Sequence, residues 1–301
     1  MKVIADLQLH SKYSRAVSQK MNIEELFFWS YMKGIGLIAT GDWTHPLWIR
    51  EIKEKLEETG RGTLRLKEDL KKTVFSDLKR QSLPENDTEF LLATELSSIY
   101  SQGGQTRRVH NLVWVPSISS AKKIIAELMK RGCNLGADGR PIVGLTSKEV
   151  LQIALDVNES SLVIPAHAWT PWFALYGSKS GFNSIEECFE DMSDYIYAIE
   201  TGLSSDPAMN WRIPELDQRS IVSFSDAHSG PKLGREATVF DVEELSYENI
   251  RKAIIIKTVF SEKRQSLSDK NKISCTFEFY PEEGKYHYDG HRNCKVRQTP
   301  A

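Results

Sequence analysis

The stretch Gly34–Glu58, GIGLIATGDWTHPLWIREIKEKLEE, decides the fold class. Its short apolar run, Leu37–Thr40, follows Gly36 and reads as a buried strand. Asp42 and His45 come directly after it, in a turn. Pro46 then opens a segment of helical period that runs to Glu58, proline being suited to the first turn of a helix. The order is strand, turn with metal-type side chains, helix, and it recurs along the chain. Further strands are expected at Val3–Leu9, Phe90–Glu95, Val109–Val115, Leu162–Ala166, Ile196–Glu200 and Ile221–Ser225. Further helices are expected at Ile23–Lys33, Ser120–Arg131, Ser147–Val157, Ser184–Asp191, Ala208–Gln218 and Tyr247–Lys257. Asn22 and Glu25 make a capping-box pattern for the first helix, and Gly34 follows its end. Such alternation predicts an α/β domain on parallel strands.

Composition sets outer limits. The chain has 301 residues, 40% hydrophobic and 27% charged, enough for one large domain and a short appendage. Its net charge of −2 does not decide for or against nucleic acid, because only the distribution of charge speaks to that. No apolar run approaches the roughly 18 residues of a membrane span. MKVIADLQLH has no signal-peptide pattern, so a cytoplasmic protein with no membrane partner is expected. Cys133, Cys188, Cys275 and Cys294 lack paired spacing, which argues against a disulfide framework. The charged stretch Arg61–Asp87 breaks the rhythm and reads as a surface helix pair or an insertion. A polar run, Ser261–Lys272, precedes a strand-like Ile273–Tyr280.

The chemistry lies at the strand ends. His10, His45, His110, His167 and His228 each sit at or just past an expected strand, as do Asp42, Glu95, Glu200 and Asp226. In a closed parallel barrel the C-terminal strand ends open on one face, where their side chains converge. Imidazoles and carboxylates are ligands for borderline divalent metals, and bound cations relieve the repulsion among clustered acids. Taken singly, such a histidine is more often a structural residue; recurrence at successive strand ends is what points to a metal centre. Glu200 reads equally well as a cap for the next turn, and His45 as a helix-start residue.

These residues, in this order, resemble the PHP (polymerase and histidinol phosphatase) superfamily. The resemblance rests on DLQLHS at Asp6–Ser11, TGDWTHP at Thr40–Pro46, TELS at Thr94–Ser97, VHN at Val109–Asn111, PAH at Pro165–His167 and SDAHS at Ser225–Ser229. It implies a distorted (β/α)7 barrel over residues 1–262, with two or three divalent metal ions (Zn, with Mn or Mg as alternatives). Residues 263–301 form a C-terminal extension. HSKYSRAVS, GDWTHPLW, PAHAWTPWFALYGSKSGF, ETGLSSDPAMNW and SDAHSGPKLGRE further resemble the endonuclease Q branch. That implies a DNA-repair endonuclease cutting 5′ to deaminated bases such as uracil and hypoxanthine, or at abasic sites.

The resemblance carries over the metal ligands His10, Asp42, Glu95, His110, His167, Asp226 and His228. Asp226, His228 and His167 are the catalytic candidates. Gln8 stands where the family has the first histidine of its HxH motif and is a weaker ligand. KYHYDGHRNC is similar to the start of the family's zinc-binding tail; His287, His291 and Cys294 give fewer ligands than the four of a closed zinc site, so an incomplete tail is expected. For substrate, the expectation is damaged DNA, contacted by Arg15, Arg107, Trp172, Tyr176, Ser178, Lys179 and Ser180, with Trp169–Phe182 forming part of a base pocket. Repair or replication partners are not indicated. The GGQTRR stretch at Gly103–Arg108 reads either as a phosphate-gripping loop or as a plain hairpin turn. Two other functions compete: a phosphatase for a small phosphate ester, and a catalytically weakened DNA-binding relative.

Overall fold

The computed structural model describes residues 1–76, 87–260, 270–283, 289–291 and 296–298. His287 and Cys294 lie outside them, and His291 is described by its backbone alone, so the expected zinc tail falls outside the described residues. Most of the charged Arg61–Asp87 stretch is described. It folds as a strand and a helix, with 77–86 outside the description.

The chain begins with β1 (Lys2–Asp6), α1 (Ile23–Lys33), β2 (Leu37–Ala39), α2 (Pro46–Lys55), β3 (Leu56–Glu58), β4 (Leu64–Leu66) and α3 (Glu68–Ser76). Next come β5 (Glu89–Gln102), β6 (Gln105–Val115), α4 (Ile118–Lys130), β7 (Ile142–Val143), α5 (Ser147–Val157) and β8 (Leu162–Pro165). Then follow α6 (Ile185–Phe189), β9 (Ala198–Glu200), α7 (Pro207–Asn210), β10 (Ser220–Val222), β11 (Ala237–Asp241), α8 (Tyr247–Phe260) and β12 (Lys272–Phe277). A small hairpin pairs β13 (Asp289–His291) with β14 (Val296–Gln298). No helix among the described residues is long and apolar enough to cross a membrane.

Local chemistry sets several boundaries. Asn22 caps α1 by accepting from Glu25 N at 2.8 Å, while the Glu25 carboxylate turns to Trp29 Nε1, so only half of the expected capping box forms. The full box appears at α5, between Thr146 and Glu149. Gly34 ends α1 in the left-handed conformation. The helix expected over Ala208–Gln218 is broken: α7 stops at Asn210, because Pro214 cannot supply the N–H that an α-helix there would need. Likewise α2 stops at Lys55, and Leu56–Glu58 pairs with β4 instead.

The fold is α/β on a central sheet ordered β12–β11–β1–β2–β5–β4–β3, with β6 and β7 on β5 and β8 on β6. β1, β2 and β5 are parallel neighbours. β6 is antiparallel to both β5 and β8, against the all-parallel expectation. The reason is the two-residue turn Gly103–Gly104, whose φ angles of 60° and 74° suit a primed hairpin and send the chain straight back. The Gly103–Arg108 stretch is therefore a hairpin. β9 and β10 form a separate parallel pair. A lone bridge, Leu9 to Ala227, ties the end of β1 to the loop after β10, and Ala168 N donates to Glu200 O at 2.9 Å across the gap between β8 and β9. Among the described residues no continuous ladder closes the sheet.

The core is continuous around this sheet, with Trp43, Trp48, Trp114, Phe27, Phe90 and Phe224 fully buried. Trp43 follows Asp42 and Trp48 lies in the first turn of α2; both are core residues. Glu236, just before β11, is buried, accepting from Ser223 Oγ at 3.2 Å and Phe279 N at 3.1 Å. Burial lifts its pKa from the ordinary 4.5 to about 8, and Glu278 adds to that against the Phe279 hydrogen bond. The folded state then keeps a proton that the unfolded chain releases above pH 4.5, so this group's contribution falls as pH rises from 4.5 to about 8 and is level beyond. Glu236→Gln will gain on the parent by up to about 1.4 kcal/mol per pH unit in that window. Urea unfolding at pH 5 and pH 8 measures this; parallel pH dependence in the two proteins would mean that the carboxyl is ionised throughout.

Candidate metal centre

Each candidate side chain is delivered by a strand or its following turn. His10 follows β1, its backbone N–H donating to Ala227 O at 3.1 Å. Glu95 and His110 lie on adjacent strands of the β5–β6 hairpin. Asp42, His167 and Asp226 follow β2, β8 and β10, with φ angles of 40°, 30° and 45°. Non-glycine residues avoid that region, and each such placement costs about 1–3 kcal/mol, which the surroundings must supply.

At His167 the support is visible. Its backbone N–H donates to Glu200 Oε2 at 2.5 Å, and the other Glu200 oxygen accepts from Gly202 N at 2.8 Å. Glu200 is therefore a buried brace for two loops, in keeping with the capping role open to it, and burial raises its pKa well above the usual carboxylate range. A Cβ on Gly202, itself at φ 71°, would stand 2.6 Å from His167 Cβ. Gly202→Ala is expected to destabilise the fold by about 2–3 kcal/mol and to displace His167. Chemical denaturation with a parallel metal titration checks this; wild-type values in both would contradict the packing argument.

Two sets of ligand atoms converge. His10, Asp226 and His228 offer one, and Glu95, His110 and His167 the other, each within 4.8 Å. Glu95 joins them: Oε1 is 2.6 Å from His110 Nδ1 and 3.8 Å from His167 Nε2, and Oε2 is 3.6 Å from His10 Nε2. His10 Nε2 lies 3.2 Å from Asp226 Oδ1, and His110 Nδ1 is 3.1 Å from His167 Nε2. The residues expected as ligands are thus gathered into one cavity, apart from Asp42.

Asp42 stands behind His10 instead. Its Oδ1 is 3.1 Å from His10 Nδ1, while Oδ2 accepts from Ser11 N and Ser11 Oγ, both at 2.6 Å, and from Ser14 Oγ at 2.8 Å. With its oxygens so engaged, it orients the imidazole. The same logic holds at two other rings. His167 Nδ1 lies 3.1 Å from Thr170 Oγ1, whose own proton goes to Trp172 O at 2.9 Å, so the ring nitrogen is the donor. His228 Nδ1 donates to Asp226 O at 2.8 Å. In all three the Nδ1–H is occupied and the Nε2 lone pair is left for a ligand.

The electrostatics fit a cation. Burial would lower the pKa of His10, yet hydrogen bonding to Asp226 and Asp42 raises it to about 10. Those carboxylates thus favour a positive charge between them, which a divalent ion could supply in place of the proton. Burial lowers His110 to about 4 despite Glu95, which leaves a neutral imidazole. Burial would raise Glu95, but the Arg140 guanidinium and a hydrogen bond from the neutral His110 ring hold it well below the usual carboxylate range. Gln8 Oε1 is buried with no hydrogen-bond partner, and Asp226 Oδ1 has only His10 Nε2, 3.2 Å away. Gln8 Nε2 donates to Glu95 Oε2 at 2.8 Å, so the amide oxygen is the end left over. An orphaned buried oxygen beside convergent imidazoles suits a metal site.

The expected substrate contacts divide. Trp172 is 46% exposed, with the Arg108 guanidinium 5.1 Å from its ring, and Ser178 and Lys179 are exposed. Arg15 is also exposed, near Asp138. Three others are occupied internally. Arg107 donates to Gly181 O and packs 4.2 Å from the Phe182 ring, Tyr176 donates to Glu215 at 2.8 Å while stacking on Trp169, and Ser180 is buried against Arg108 O. Those three hold the Trp169–Phe182 segment in shape. His45 lies outside the cavity at the head of α2, stacked on Tyr13 at 4.5 Å. Sequence reading missed Arg140, whose Nη1 is 3.3 Å from His10 Nε2 and 3.4 Å from Glu95 Oε1. It follows no strand, so no strand-end signal marks it.

No family model matches the chain. Over 166 residues it is 30% identical to the uncharacterized protein MJ0043 of Methanocaldococcus jannaschii, covering 55% of this chain and 16% of that one. Among solved structures, the lesion-specific endonuclease PfuEndoQ from Pyrococcus furiosus is 28% identical, with a TM-score of 0.78 over 99% of this chain and 64% of its own. An endonuclease Q solved with a 27-mer duplex substrate bearing an abasic lesion at the active site is 29% identical, with a TM-score of 0.79 over 99% of this chain and 65% of its own. The chain thus spans a sixth of that relative and just under two thirds of the two endonucleases. Sequence motifs and three-dimensional match agree: over nearly its whole length, this chain is similar to endonuclease Q.

Proposed function

We propose that the protein is a metal-dependent DNA endonuclease of the endonuclease Q type, hydrolysing the phosphodiester 5′ to deaminated bases (uracil, hypoxanthine) or abasic sites. One observation carries the reading: the cavity joined by Glu95 lies in a chain that matches, across 99% of its length, an enzyme solved on an abasic duplex. We read the site as one for two or three divalent ions, Zn with Mn or Mg as alternatives, of which His10, Asp226 and His228 would hold one and Glu95, His110 and His167 another. Gln8 Oε1 is a candidate weak ligand. We read the strand order β1, β2, β5, β6, β8, β9, β10 as a distorted seven-stranded barrel, with the Leu9–Ala227 bridge as its seam. Residues 1–262 make this catalytic unit and 263–301 an extension. The protein is read as cytoplasmic, in keeping with a DNA substrate.

Divalent ions held there would activate water and offset charge on the phosphate. The chain's own residues do the rest. Asp42, Thr170 and the Asp226 carbonyl fix three imidazoles with Nε2 inward. Asp226 takes a proton from the attacking water, which adds to phosphorus as the bond to the 3′ oxygen breaks. The leaving oxygen takes its proton from solvent; His228, 31% exposed at the mouth, keeps its Nδ1–H on the Asp226 carbonyl and would offer Nε2 to an ion. His167 completes the second ion's set. Arg108 and Trp172 offer a cation and an aromatic face at the rim for phosphate and base.

A duplex with a single uracil or abasic site, incubated with Mn or Mg, should be nicked once on the 5′ side of the lesion. An undamaged duplex should stay intact. No nick with any of Mn, Mg or Zn would overturn the reading, and faster turnover of a soluble phosphomonoester would favour the phosphatase alternative.

A further inference from the structure

Arg140 sits in the turn between α4 and β7, and that turn is clamped. Gly139 N donates to Tyr13 O at 3.0 Å, and Arg140 N donates to Asp138 Oδ1 at 3.0 Å. Gly139 has no room for a side chain, since a Cβ would lie 2.3 Å from Asp42 Oδ2 and 2.4 Å from Ser14 Oγ. The backbone that carries Arg140 is therefore packed on the residues that orient His10. Its side chain, 24% exposed, reaches into the cavity.

Only Nη1 is engaged there, by His10 Nε2 and Glu95 Oε1. Among the described residues Nε and Nη2 have no protein partner, and neither is a buried orphan. A guanidinium presents its N–H groups as a planar fork, matched to the oxygens of a phosphate. Nη1 also stands where a cation on His10 Nε2 and Glu95 would sit. Like charges repel, so ions held in the cavity would push the guanidinium toward the mouth. There, metal ions and Arg140 together carry more positive charge than the carboxylates around them, an excess that an anion offsets.

We infer that Arg140 is the phosphate-binding residue of this cavity, its guanidinium pairing with a non-bridging oxygen of the scissile group. This rests on the endonuclease reading only for the identity of the phosphodiester; the anion contact itself is independent of it.

The test uses the full chain, loaded with Mn, as wild type, Arg140→Lys and Arg140→Ala. Metal content is measured by elemental analysis, inorganic phosphate binding by calorimetry, and nicking of an abasic duplex as kcat and KM. We expect unchanged metal content in both variants. Phosphate binding should weaken at least about 10-fold in Arg140→Ala and less in Arg140→Lys. The kcat should fall on the order of 10²-fold in Arg140→Ala, with part restored by added guanidinium. Phosphate bound equally by all three proteins overturns the inference, as does loss of metal from both variants, which would make Arg140 a brace for Glu95. If phosphate binding follows the expected order while even the wild type nicks nothing, the inference stands and the endonuclease reading falls. If wild type and both variants nick alike, the inference falls and that reading stands.

Discussion

Glu95→Gln will give a folded protein that binds at least one divalent ion fewer per chain and nicks lesion-containing DNA on the order of 10³-fold more slowly. Glu95 meets His10, His110, His167, Arg140 and Gln8 in one place, so its carboxylate touches both sets of ligand atoms. Glutamine keeps the shape but removes the negative charge. Its amide nitrogen cannot bind a cation, and its single oxygen cannot serve both sets. The Arg140 guanidinium also loses its counter-charge, so the cost falls on the cavity rather than on the core. Elemental analysis, thermal melting and single-turnover nicking read these effects separately. Full metal content with normal nicking would show that the two sets do not work as one site.

The second large effect is expected at Asp42, whose oxygens are engaged by His10, Ser11 and Ser14. Asp42→Asn should lower nicking by about 10²–10⁴-fold, in the way that an orienting carboxylate's loss acts through the wrong imidazole tautomer. Oδ2 accepts from Ser11 N, Ser11 Oγ and Ser14 Oγ, so the asparagine oxygen must take that side. Its NH₂ group then faces His10 Nδ1. The ring must accept there and carry its proton on Nε2, toward the cation. Metal affinity should fall about 10–100-fold. Asp42→Ala, which imposes no tautomer, should retain more activity than Asp42→Asn. The reverse order, or wild-type behaviour in both, would remove the orienting role.

How much of this was legible in the sequence follows from how local each signal is. His10, His167, Asp226 and His228 stand immediately after apolar runs, so a strand and its turn are enough to mark them. Glu95 and His110 were found by the same rule for a different reason: they lie within two long strands of one hairpin, and the antiparallel turn at Gly103–Gly104 places them side by side. Asp42 was visible as a residue, but its task was not. A carboxylate beside an imidazole can bind a cation or hold the ring, and the three donors on Oδ2 decide that only after folding. Arg140 lies between Gly139 and Pro141 in a turn with no periodic neighbour, and its approach to His10 bridges 130 residues of sequence. Arg107, Tyr176 and Ser180 have the chemistry of substrate contacts, yet each finds its partner inside the protein. β11 escaped notice because Ala237–Asp241 is short and follows no helix, although it pairs with β1 and so anchors the strand that delivers His10.

The central claim is that six side chains form one cation cage. Anomalous diffraction from crystals grown with Mn, collected on both sides of the metal edge, tests it directly. The account predicts one peak in coordination range of His10, Asp226 and His228 and another among Glu95, His110 and His167. Crystals with Mn bound elsewhere, and no anomalous density between those residues, would contradict it.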